Sequence, residues 1–161
     1  MKETTLVLPI RSATSEILLA MKKRGFGEGK LNGMGGKIDP GESVRSAATR
    51  EVREEVGIEI DPDDLVAVVD NSFSFENKPE WDIHCYTFFA YDWKGEPVET
   101  EEMAPEFFPL GAIPFARMWI DDQEWMPQAL QGKKLKVAFH FSEDGSAILK
   151  RDIQDVEHLN F

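Results

Sequence analysis

The chain holds a single cysteine, Cys85, among its 161 residues. That excludes an internal disulfide and any zinc site built from several thiolates, and it suits a reducing compartment. No run of about 18 apolar residues is available to cross a membrane, and the N-terminus lacks a signal-peptide pattern. Basic residues are in deficit: 18 lysines and arginines face 30 aspartates and glutamates, a net charge of −12. A duplex-DNA binder needs a basic face, so this balance argues against a nucleic-acid partner. Repeats, low-complexity tracts and linkers are missing too. What remains is an ordinary globular composition, 42% hydrophobic and 30% charged, in a length that buries a core without covalent staples. The expectation is one domain over residues 1–161, cytoplasmic and, with nothing pointing to an obligate dimer, monomeric.

The order of patterns is mostly strand with two inserted helices, which predicts an α+β domain. "TLVLPI" (5–10) and "EILLAMK" (16–22) read as a hairpin, and "KRGFGEGKLNGMGGK" (23–37), with six glycines, as a loop. Residues 43–57 read as a helix: Ser43 caps it, Val44, Ala48, Val52 and Val56 make an i, i+4 stripe, and Gly57 stops it. Strands are expected over 64–76 and 81–93, and a charged loop runs into a short strand over 97–110. A second helix is expected over 121–131, and a closing hairpin turns at "EDG".

The first helix carries three glutamates in five positions, Glu51, Glu54 and Glu55. Like charges four apart repel, so the cluster is not there for helix stability. A charged helix face is ordinarily solvated, and Arg50 with Glu54 makes a favourable i, i+4 pair. Yet Glu51 and Glu55 lie only about 40° apart on the helix, on nearly the bearings of Val44 and Ala48. Carboxylates beside a core-facing stripe must be paired or hold a metal ion. Hard divalent cations bind through one or two carboxylates plus substrate phosphates. Glu42, on the Pro-Gly turn before the helix, adds another acid, and the glycines let a backbone carbonyl approach an ion.

Gly36, five residues, Glu42, seven residues, then "REVREEVGI" (50–58) matches the Nudix box at each fixed position. The stretch 36–58 therefore resembles that of Nudix hydrolases. The resemblance implies a mixed β-sheet sandwiched between α-helices and hydrolysis of a nucleoside diphosphate linked to another moiety, with Mg²⁺ or, in its place, Mn²⁺. It implies metal ligation by Glu51, Glu54, Glu55 and the Gly36 carbonyl, orientation of the glutamates by Arg50, and an assisting or positional role for Glu42. The general base stays open among Glu51, Glu54 and Glu55.

Two further stretches speak to the substrate. "MKKRGFGEGK" (21–30) is a local basic segment with Phe26 in it and Asn32 just beyond. "MWIDDQEWMP" (118–127) sets Trp119 beside Asp121 and Asp122. Tryptophans are often core, and aspartates near a helix start often cap it. Together, though, they can form a purine pocket: aromatic faces for stacking, an amide with donor and acceptor, and a carboxyl pair sharing a proton, with one pKa raised.

These stretches resemble one branch of the superfamily over most of the chain, the animal-type oxidised-purine nucleoside triphosphatases. That likeness implies a small-molecule substrate, 8-oxo-dGTP or 2-oxo-dATP, cleaved to monophosphate and pyrophosphate, in nucleotide-pool sanitation. Asn32, Asp121 and Asp122 would read the base and Trp119 would stack on it. Phe26, Phe73 and Trp81 would line the pocket, Thr5 and Lys22 would sit at its mouth, and Glu102 would add a metal ligand. Leu31 stands where the branch has tryptophan, Trp81 where it has methionine, and the first hairpin is two residues longer. A nucleotide-sugar or dinucleoside polyphosphate hydrolase, or a ligand sensor without catalysis, stays open beside this reading.

Overall fold

The computed structural model describes all of residues 1–161. Eight strands form one continuous sheet: β1 (Lys2–Arg11), β2 (Glu16–Lys22), β3 (Leu31–Asn32), β4 (Leu65–Phe75), β5 (Ile83–Ala90), β6 (Met103–Pro109), β7 (Lys134–Phe141) and β8 (Ile148–Val156). Their order is β3-β2-β1-β5-β4-β7-β8, with β6 on the other edge of β2. β1 runs parallel to β5 and β4 parallel to β7, while the remaining pairs are antiparallel, so the sheet is mixed.

Two helices cover opposite faces. α1 (Val44–Val56) buries Ala48, Val52 and Val56 in a cluster with Val7, Leu18 and Phe88. α2 (Asp122–Leu130) buries Trp125, Met126 and Ala129 against Leu8, Val69 and Phe139. Strand alternation explains the division: Val7 faces α1 and Leu8 faces α2. Each fully buried aliphatic or aromatic side chain contributes about 1.5–3 kcal/mol, and these two layers supply the driving force. The predicted ends of α1 hold: Ser43 Oγ accepts from the Ser46 N–H at 3.2 Å, and Gly57 closes the helix at φ 80°.

Two expectations need correction. The first hairpin pairs at only two positions beside its turn, Ile10 with Ile17 and Arg11 with Glu16. Beyond that β1 follows β5 for eight pairs and β2 follows β6 for seven. The opening between them is filled by the chain that was expected to be a loop. Leu31–Asn32 pairs with β2, and Val7 exchanges two backbone hydrogen bonds with Met34 at 2.7 and 3.0 Å. Thr5 N–H donates to the Gly36 carbonyl at 2.9 Å. Backbone groups exposed by the splayed hairpin are thus paired by residues 31–37. This insertion carries Gly36 and the start of the box into the middle of the fold.

Candidate active site

Glycine is required where that segment threads the sheet. A methyl on Gly35 would overlap the Thr5 carbonyl, and one on Gly36 would lie 2.5 Å from the Glu51 carboxyl carbon. The Glu51 carboxylate therefore rests directly on the Gly36 backbone.

Arg50 organises the acids around it. Its Nε and Nη2 fork onto Glu42 at 2.7 and 2.8 Å, and Nη1 donates to Glu51 at 3.0 Å and Glu54 at 3.2 Å. Nη2 also reaches the Lys37 carbonyl at 3.2 Å, and Asp39 lies 3.4 Å away. Glu42 accepts from the Asp39 N–H as well, at 2.9 Å. These bonds hold the Glu42 carboxyl down at about 2 and push the Arg50 guanidinium further up. Glu42 thus buckles the turn to the helix, and its oxygens are already engaged.

Glu51 and Glu55 behave differently. Burial raises the Glu51 carboxyl despite Arg50. Burial, then the neighbouring Glu51, lifts Glu55 to about 8, while the Gly35 backbone and Lys22 pull the other way. Glu102 also raises Glu55, though its side chain is mostly exposed and pairs with Arg24 at 3.4 Å. A divalent cation fits this donor set. Glu55 Oε2 is buried with no hydrogen-bond partner, and the other acids are hard oxygen donors. No three acidic or histidine side chains converge as a ready-made cage. A Mg²⁺-type site does not need one, because it keeps waters and takes substrate phosphates as ligands.

Glu55 also lines a cavity of about 270 Å³ beside the box. Lys22, Phe26, Asn32, Phe73, Trp119, Asp121 and Asp122, all expected there from sequence, line it. Phe26 stacks on Trp119 with centroids 5.3 Å apart, and Lys30 lies 5.1 Å over the Trp119 ring. Asn32 Oδ1 accepts from the Gly33 N–H at 2.9 Å, leaving its amide N–H groups as donors.

Asp121 stands at the N-cap position of α2 and Asp122 follows it, but neither is there to cap the helix. The Asp121 side chain makes no capping bond and instead accepts from Trp125 Nε1 at 3.0 Å. Both carboxyls are buried. Where one raised carboxyl was expected, both are raised, because burial acts on each: Asp121 to about 6, and Asp122 well above the usual range. Burial and mutual repulsion thus favour a shared proton, and a pair that keeps one can donate as well as accept.

Two placements differ from expectation. Trp81 does not line the cavity. It stands behind the wall, edge-on to Phe26 and Phe75 at 5.5 Å, and those two rings rather than its own line the cavity. Thr5 is buried rather than at the mouth, since residues 34–36 cover β1 there. Leu31, in place of the branch's tryptophan, is core. Sequence reading missed Asn71 and Cys85, which face the cavity from β4 and β5. The alternation Val69, Asn71, Phe73, Phe75 was the available signal: one polar side chain in an inward-facing row.

A metal-capable acidic helix joined to an aromatic, polar-floored cavity on a mixed sheet defines a hydrolase of the Nudix class. The NUDIX domain profile matches residues 2–129, and the chain belongs to that family. Nudix hydrolases generally need divalent metal ions. The chain is 41% identical over 159 residues to the oxidized purine nucleoside triphosphate hydrolase of Danio rerio, covering 98% of this chain and 97% of that one. It is 43% identical over 154 residues to the Mus musculus protein of the same name, covering 95% and 94%. The solved structure of a MutT protein from Bacillus halodurans shares the fold, with a TM-score of 0.81, 22% identity and coverage of 95% and 97%.

Proposed function

We propose that this protein hydrolyses oxidised purine nucleoside triphosphates, such as 8-oxo-dGTP or 2-oxo-dATP, to the monophosphate and pyrophosphate. One observation carries this reading. The four buried side-chain atoms without a partner are Thr5 Oγ1, Glu55 Oε2, Asn71 Oδ1 and Asp122 Oδ2. All four residues line the one cavity. Unpaired buried polar groups cost about 1–3 kcal/mol each, so a ligand rich in hydrogen-bonding edges belongs there. The relatives at 41–43% identity carry the name of that activity.

In this reading Asp121, Asp122 and Asn32 meet the base edge, Trp119 and Phe26 its face, with Phe73 in the wall and Thr5 beside Glu55 where the phosphates leave. Lys22 stands at the phosphate end. Mg²⁺, or Mn²⁺, would be held by Glu51, Glu54, Glu55 and the Gly36 carbonyl, with Glu102 as an added ligand. Such an ion would supply charge neutralisation at the phosphate oxygens and a lowered pKa for the attacking water. Arg50 keeps the glutamates aimed, and one of them takes the proton from that water. Every group named comes from one chain, so a monomer suffices.

The test is kcat/KM with Mg²⁺ for 8-oxo-dGTP, 2-oxo-dATP, N6-methyl-dATP and the plain dNTPs, with product analysis. Oxidised purines should lead, releasing pyrophosphate. Asp121→Asn should reorder the ranking. Release of a sugar phosphate from nucleotide sugars, or no turnover of any nucleotide, would overturn the reading.

A further inference from the structure

Asn71 occupies an unusual position. It is fully buried on β4, flanked on its face by Val69 and Phe73. In register it sits beside Cys85 on β5, which in turn sits beside Thr4 on β1, and all three face the cavity. The row forms the floor beneath the aromatic walls.

The three residues offer different chemistry. Thr4 Oγ1 is committed to the His84 carbonyl at 3.1 Å. The Cys85 thiol is a soft, weak partner 3.8 Å from Thr87 Oγ1, and burial pushes it up to about 11, so it stays neutral. Asn71 Nδ2 donates to Thr87 Oγ1 at 2.7 Å, and Thr87 is itself fully buried. That bond fixes the amide and leaves Oδ1 as a strong acceptor without a partner. A purely structural asparagine would have both ends of its amide paired. Low-dielectric surroundings strengthen any bond made there and penalise its absence.

We propose that Asn71 is a base-reading residue: its Oδ1 accepts a hydrogen bond from an N–H of the purine at the cavity floor. It thereby selects bases that present a donor there, alongside the aspartate pair. This rests on the purine triphosphate reading above and adds a determinant to it.

Matched substrates test it: dGTP against dITP, which lacks the 2-amino group; dATP against the 6-unsubstituted purine deoxynucleoside triphosphate; and 8-oxo-dGTP against dGTP, which lacks the N7 hydrogen. The parent enzyme should favour the donor-bearing member of at least one pair by about tenfold or more in kcat/KM. Asn71→Leu should bring that ratio to within about threefold, with the loss on the donor-bearing substrate. Thr87→Val, a near-isosteric change, frees the amide and should weaken the same ratio if the leucine variant does not fold. Parent ratios near one in every pair would overturn the inference by themselves. So would an Asn71→Leu enzyme that slows all substrates equally, the signature of a structural role. Absence of turnover for every triphosphate would instead remove the reading beneath it, and both would fall.

Discussion

Glu55 and the aspartate pair store their electrostatic tension in single side chains. Glu55 titrates near 8 in the folded protein against a usual 4.5. Between those values the unfolded chain releases a proton that the folded chain keeps, so stability falls as pH rises through that window. Glu55→Gln removes the conflict. In EDTA at pH 8 the variant should be more stable than the parent, on the order of 1–3 kcal/mol by urea melts, and near pH 4 the two should coincide. The same variant should lose at least ~10²-fold in kcat with Mg²⁺ on every substrate. Equal stability at pH 8 would sink the placement of Glu55 as a strained, cation-seeking acid. Trp125 makes a comparable case. Its indole N–H bond lowers Asp121, so Trp125→Phe should raise that carboxyl further and shift the alkaline limit of base selectivity to higher pH. The unpaired oxygen should cost about 1–3 kcal/mol in a thermal or urea melt.

Among the elements, the segment from β3 to the start of α1 does most to build the site. It plugs the gap between β1 and β2 and sets the Gly36 carbonyl and Glu51 side by side. Gly35 packs backbone on backbone, so no side chain can yield. Gly35→Ala should cost about 3 kcal/mol or more, as overpacking does at its severe end, read as a lowered urea midpoint. At Gly36 the clash is with the Glu51 carboxylate, which can swing away. Gly36→Ala should therefore spare most stability but weaken Mg²⁺ or Mn²⁺ binding and activity by about 10–100-fold, measured by metal titration of kcat. Helix α1 was readable because cap, stripe and stop are local signals. The segment 31–37 was not, because from Met34 on its hydrogen bonds go to a strand some 30 residues earlier, and glycines carry no hydrophobic pattern to announce that.

Over the whole molecule, an anionic protein must draw in an anionic substrate. Lys23 and Arg24 are occupied by Glu99, Glu101 and Glu102, whereas Lys22 and Lys30 line the cavity. Attraction at the cavity thus falls to those two lysines. Converting both to glutamine should lower kcat/KM about tenfold at low salt, with the difference shrinking as ionic strength rises. A salt-independent loss would mean that they act only by contact. The α+β class, most strands, both helices and the acidic box were legible in the order of residues, because strand alternation, helix periodicity and fixed motif spacing are properties of short stretches. So were Lys22, Phe26, Asn32, Phe73, Trp119, Asp121 and Asp122 of the cavity's lining, through likeness to a known branch. The withdrawal of Trp81 behind the wall, the burial of Thr5 and the arrival of Asn71 at the floor were decided by tertiary structure alone. Sequence alternation assigns a side chain to a face. Only strand register and the packing of α2 and the 118–122 segment over that face determine whether it meets core, solvent or ligand.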